Sequence, residues 1–182
     1  MLLDFIGETE APGGYGVIYR NRQNLLPVPL TEMTLGEVLA AQPQWKAANG
    51  SSAAGRYQVI DKTLLGLASE LGLDPGLRFD AHLQDRLGLA LLRRRGFDRF
   101  VSGEMALPDF ALGLAKEWAA FPVLWAVQGA HRMLEPGETY YAGDRLNRAL
   151  VKPQAFIAML QQCLALTDSD RIRTGANPSA TG

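Results

Sequence analysis

Proline, glycine and helix-capping residues cut this chain into short pieces, and most pieces carry apolar side chains at helical spacing. Such pieces bury their apolar faces by packing several short helices together, with little room for sheet. Leu2, Leu3, Phe5 and Ile6 form one apolar helical face, stopped by Pro12-Gly13-Gly14. Thr34-Leu35-Gly36-Glu37 matches a capping box, in which the threonine hydroxyl and the glutamate carboxylate each satisfy a free backbone amide. The helix it starts is predicted over residues 35–41, ahead of Pro43. Asp61 reads as the N-cap of a helix through Leu64, Leu65, Ala68 and Leu71, closed by Gly72. Asp80 reads as the cap of another, carrying Leu83, Leu87, Leu91 and Leu92 and ending before Gly96. Pro108 opens a helix with Phe110, Leu114 and Trp118 that Pro122 closes, and Pro153 suits a first helical position before Phe156, Ile157 and Leu160. Between these, Tyr15-Gly16-Val17-Ile18-Tyr19 has the β-favouring residues of a short strand. Residues 45–54 are rich in small side chains and read as loop. Residues 167–182 are polar and read as a disordered tail, leaving residues 1–166 as one domain.

Charge and cysteine content narrow the chemistry. Eighteen Lys+Arg against nineteen Asp+Glu give a net charge of -1, which argues against nucleic-acid binding. Arg93-Arg94-Arg95 stands at a helix end, where cations meet the last carbonyls and the negative end of the dipole. Cys163 is the single cysteine; it lies in the apolar helical pattern after Pro153 and reads as core. No CxxC or HExxH spacing occurs, so neither a metal nor another cofactor is expected. No apolar run approaches the roughly 20 residues that span a bilayer, so no membrane insertion is expected. The N-terminal residues lack the basic start and apolar stretch of a secretory signal.

Two carboxylates close the first helix. At about 100° per residue, Glu10 falls one turn beyond Ile6 and nearly above Leu3, at the edge of the apolar stripe. Glu8 points about 200° away from it, towards solvent. A carboxyl at an apolar edge loses hydration, which raises its pKa and suits it to act as a general acid near neutrality. A solvated glutamate at a fraying helix end is the plainer alternative.

Further along, Ala53-Ala54-Gly55-Arg56-Tyr57-Gln58 sets small residues beside a tyrosine and an amide. Small residues let the backbone approach a ligand, a tyrosine offers a flat face to a sugar ring, and an amide both donates and accepts hydrogen bonds. The pairing of a glutamate ending an N-terminal helix with Ala-Gly-Arg-Tyr-Gln some way downstream resembles the phage lambda-type endolysins of the lysozyme-like superfamily. Glu117-Trp118-Ala119-Ala120-Phe121-Pro122 is similar to that family's Trp-Ala-Ser-Leu-Pro segment. Tyr140-Tyr141-Ala142-Gly143-Asp144 followed by Asn147 is similar to a segment of related phage and prophage lysozymes. The likeness runs in order through residues 3–149.

The resemblance implies an α+β, mostly helical, lysozyme-like fold, with a small β region and a helical lobe flanking a cleft. It implies a peptidoglycan-degrading enzyme cleaving the β-1,4 bond between N-acetylmuramic acid and N-acetylglucosamine, with Glu10 as general acid and base. Tyr57 and Gln58 would line the groove. Ala11-Pro12 stands where the family has Gly-Thr, which leaves Glu8 open as the acid. Hydrolysis of a glycoside ordinarily uses two carboxylates. Glu32 is the candidate for the second, since Glu37 and Asp61 are engaged in caps and Asp85 faces along a helix between Gln84 and Arg86. A lone glutamate suits a lytic transglycosylase giving 1,6-anhydro ends, as the lambda-type enzymes do. The alternatives are a hydrolytic muramidase and a non-catalytic peptidoglycan-binding module of a phage tail.

Other residues have weaker claims on the groove. Tyr15 and Tyr19 flank the exit of the first helix, where either ring is placed to meet sugar. Tyr140 and Tyr141 would face opposite ways on an extended segment, with Tyr141 the candidate to reach the cleft. Arg56 suits either a ligand carboxylate or an anchor for its own loop. Trp45 is expected as an exposed indole in a loop, Trp118 belongs with the core, and His131 is given no role. The likeness further implies a monomer whose partners are peptidoglycan glycan strands. It would be made in the bacterial cytoplasm and would reach the cell wall by holin-type release or on a phage particle.

Overall fold

The computed structural model describes residues 1–144 and 146–174, with side chains through residue 166. Among these residues there are seven α-helices and one small two-stranded antiparallel sheet, a mostly helical α+β architecture. Residues 3–91 form one compact unit; the other described residues, 1 and 2 and those from 92 to 174, form another.

In the unit of residues 3–91, α1 (Leu2–Glu10) buries Ile6 completely. Single 3-10 turns follow at Gly14–Gly16, Tyr19–Asn21, Gln23–Leu25 and Leu30–Glu32. The strand expected over residues 15–19 is not formed. Only Ile18 makes an antiparallel bridge, to Ala54, because Arg20 and Asn21 adopt left-handed backbone (φ 61° and 55°) and turn the chain at once. The capping box is present: the Thr34 amide donates to Glu37 Oε2 (2.7 Å) and the Glu37 amide to Thr34 Oγ1 (3.2 Å). The Thr34 amide and hydroxyl, both donating to Glu37 Oε2, hold that carboxyl below its ordinary pKa.

The helix that follows, α2 (Leu35–Asn49), does not stop at Pro43. It runs on to Gly50, whose left-handed φ of 86° and bond to the Lys46 carbonyl (2.9 Å) end it. Trp45 is therefore half-buried on a helix and not in a loop. Proline removes a single intrahelical bond, and tertiary contacts outweigh that loss: Gln42, fully buried, donates from Nε2 to the carbonyls of Ser52 and Val59, both at 2.9 Å. Pro43 itself is exposed. Pro43→Ala is expected to raise stability by about 2 kcal/mol, read from the urea midpoint, since proline is about 3 kcal/mol worse than alanine inside a helix.

α2 packs against α3 (Asp61–Glu70). Asp61 is the first helical residue and Ile60 the cap, one place earlier than expected. Its carboxylate accepts from Ser52 Oγ (3.0 Å), and its amide donates back to that oxygen (3.0 Å). Burial works to raise the Asp61 pKa, but bonds from the Lys62 amide and Ser52, with the Lys46 and Lys62 charges, hold it below the ordinary value. Asp80 caps α4 (Ala81–Arg94) as expected, accepting from the Leu83 amide at 2.9 Å. Leu35, Val38, Leu64, Leu67, Phe79 and Leu87 are fully buried in this unit.

In the other unit, Gly96 (φ 92°) follows the basic end of α4, and Arg95 pairs with Glu117 at 2.7 Å. The short helix α5 (Phe97–Val101) packs on α6 (Leu107–Glu117) and α7 (Pro153–Thr174). Phe100 stacks on Phe110 (4.4 Å between ring centres) and Phe121 on Phe156 (4.7 Å), while Trp118 and Cys163 are buried. The sheet pairs β1 (Val127–Gln128) with β2 (Met133–Leu134). α7 continues through Thr174, past the break expected at residue 167, since neither proline nor glycine interrupts residues 167–174. The rest of the expected tail, residues 175–182, lies outside the described residues.

Candidate functional site

The helical phase of α1 separates its two terminal carboxylates: Glu10 is half-buried and Glu8 exposed. The turn of residues 54–59 lies against the same helix. Its ends pair through Ala54 and Val59, whose amides and carbonyls exchange bonds of 3.2 and 3.0 Å. The Gly55 amide donates to the Val17 carbonyl (2.7 Å) and the Tyr19 amide to the Ala53 carbonyl (3.0 Å), which ties the turn to the segment after α1. Arg56 then crosses α1 at Gly7, where any Cβ would collide with the arginine side chain. The guanidinium continues to Asp4, 3.4 Å from Nη2, and stands over the Tyr15 ring, 5.2 Å from its centre. With 17% of its side chain exposed, Arg56 has the geometry of an anchor between the turn and α1.

Tyr57 is 2% exposed, so its ring face is not offered to a ligand. The ring packs over Gly88 of α4, where an added Cβ would come within 2.9 Å of it. Its hydroxyl donates to Asp85 Oδ1 at 2.6 Å. Burial, and then the Asp85 carboxylate, push the phenol far above its ordinary pKa. Gln58 has a left-handed φ of 46° and folds its side chain inward: Nε2 donates to the Gly55 carbonyl at 2.7 Å, closing the turn. Of the two residues expected on the groove floor, both serve the architecture of the turn.

Tyr15, half-buried, donates to the same Asp85 Oδ1 at 3.0 Å. Burial and Asp85 raise its pKa too. Next to Asp85, Gln84 is 2% exposed and makes three bonds. Its Oε1 accepts from the Arg56 amide (2.8 Å), and its Nε2 donates to the carbonyls of Tyr15 (3.1 Å) and Phe79 (2.8 Å). Gly55, at φ 75°, must stay without a side chain, because a Cβ there would strike Gln84 Oε1. The pair Gln84-Asp85 thus holds the chain after Glu10 and the turn of residues 54–59 on one helix. Sequence reasoning passed over both. The usable signal was helical phase: Gln84 shares the face of Gly88 and Leu91, where a polar side chain must find buried partners.

Glu32 is exposed on the 3-10 turn Leu30–Glu32, which packs against the turn Gly14–Gly16. Tyr141 belongs to the unit of residues 92 onward. It sits in a turn, not an extended segment; its ring meets Tyr140 edge-on at 5.3 Å, and its hydroxyl donates to the Lys116 carbonyl at 2.6 Å. Burial raises its pKa. His131 is exposed. Among the described residues, no group of three or more His, Cys, Asp or Glu side chains is arranged to hold a metal ion. No helix among them is long and apolar enough to cross a membrane.

The arrangement can present a partly desolvated carboxyl at a helix end and, five residues further along the chain, an aromatic ring held by a hydrogen bond to Asp85. In comparisons with known proteins, the chain matched no family model, no curated protein and no solved structure.

Proposed function

We propose that this protein cleaves the glycan of peptidoglycan between N-acetylmuramic acid and N-acetylglucosamine, with Glu10 as the general acid and base, within a lysozyme-like fold. The observation that carries this reading is the half-buried Glu10 ending α1, one turn beyond the Gly7 that Arg56 crosses. A carboxyl so placed gives its proton to the glycosidic oxygen as the bond to the muramic acid C1 breaks. The sugar's own 6-hydroxyl attacks that carbon, and its proton passes to Glu10, restoring the acid. No water is consumed, and the product carries a 1,6-anhydro end. The substrate is the bacterial cell wall, reached by release through a holin-type pore or on a phage particle.

A hydrolytic variant has one observation in its favour. The turn bearing the exposed Glu32 packs on the turn that follows Glu10, which brings a second carboxylate to this part of the unit. Incubation with Gram-negative sacculi and mass spectrometry of the soluble fragments tests both. Anhydro products, lighter by one water than reducing ends, are the expected result. Reducing ends select the hydrolase, and binding to sacculi without any released fragment selects a non-catalytic module.

A further inference from the structure

The chain turns after α1 through Pro12-Gly13-Gly14, which separates Tyr15 from Glu10, with Gly14 at φ 81°. The residue is held at three points, two of them on its side chain. The hydroxyl is on Asp85, the backbone carbonyl on Gln84, and the Arg56 guanidinium covers the ring. Tyr15 is only half-buried, so the residue keeps exposed surface that core packing does not use. Asp85 Oδ1 also accepts from the hydroxyl of the buried Tyr57, and Asp85 stands on α4, a fourteen-residue helix. An aromatic side chain immobilised before any ligand arrives loses little freedom on binding, and its apolar face suits a sugar ring.

We propose that Asp85 is a positioning residue, holding Tyr15 as a fixed platform for a sugar unit next to the one Glu10 acts on. The role rests on the glycan-cleaving function and assigns Asp85 no contact with substrate. It acts through one hydrogen bond, so its loss weakens substrate binding and leaves the proton transfer alone.

The test is steady-state cleavage of Gram-negative sacculi by Tyr15→Phe, Asp85→Ala and the double variant. Tyr15→Phe removes only the hydroxyl of a half-exposed ring and is expected to fold normally. It should raise KM about fivefold to tenfold, the equivalent of one lost hydrogen bond, with kcat within about twofold. Asp85→Ala, which takes the acceptor away from the Tyr15 hydroxyl, should raise KM similarly, and the double variant should be no worse than Asp85→Ala alone. A purely structural Asp85 would lower the unfolding midpoint and leave KM unchanged. Wild-type KM in Tyr15→Phe, or effects that multiply in the double variant, overturn the proposal while the glycan reading stands. Should the wild type cleave nothing, the glycan reading falls, and calorimetric titration with chitopentaose decides for Tyr15: an equal loss of affinity in Tyr15→Phe supports the platform, and no difference removes it.

Discussion

Glu10→Gln is expected to lower fragment release from sacculi by about 10²-fold to 10⁴-fold, the range a positioned general acid contributes. The amide keeps the volume and hydrogen-bonding outline of the carboxyl but has no proton to give at neutral pH. The unfolding midpoint should therefore stay close to that of the wild type. Glu8→Gln is the matched control. Glu8 points from the same helix end into solvent, so activity within about twofold of wild type is expected. If Glu10→Gln cleaves as fast as wild type, Glu10 is not the acid; if Glu8→Gln is the inactive variant, the assignment moves to Glu8. Rates of soluble muropeptide release, measured on equal amounts of folded protein, separate these outcomes.

The second large effect falls on stability. Gln84→Leu fills much the same space with no polar atom. It leaves the Arg56 amide without its acceptor and takes a donor from the carbonyls of Tyr15 and Phe79. Each buried group so stranded costs about 1–3 kcal/mol, although a carbonyl keeps a second lone pair to use elsewhere. A total loss of about 2–4 kcal/mol is expected, measured from the urea midpoint at constant slope. Gly55→Ala should be destabilising for two reasons, its φ of 75° and the collision with Gln84. Combined with Gln84→Ala, which removes the colliding oxygen, the effect should be less than additive. Additive losses would show that the turn and α4 do not share the contact described.

Much of the helical framework was legible because it depends on residues within one turn of each other. The Thr34–Glu37 box, the Asp80 cap and the start at Pro153 are short-range chemistry. The burial of Cys163 follows from helical phase, as does the contrast between Glu10 and Glu8, whereas Trp118 is buried as the extended residue after α6, which ends at Glu117 and not at Pro122. Where a local rule failed, a distant contact had overridden it. Pro43 does not end α2, because the buried Gln42 ties that helix to Ser52 and Val59.

The candidate site divides along the same line. Sequence alone selected Glu10, Tyr15 and the residues 53–58, because a helix phase and a compact motif are readable without a fold. It had no means of showing that Tyr57 turns inward, that Gln58 closes its own turn, or that Tyr141 is held by Lys116. Asp85 looked like an ordinary helical aspartate. Its two phenolic partners lie 28 and 70 residues away in the chain, and no periodicity records a contact over that distance. Composition and spacing set which elements form; the packing of α4 against the turn and the segment after α1 decided which polar groups meet, since a buried donor accepts whatever partner the fold brings within reach.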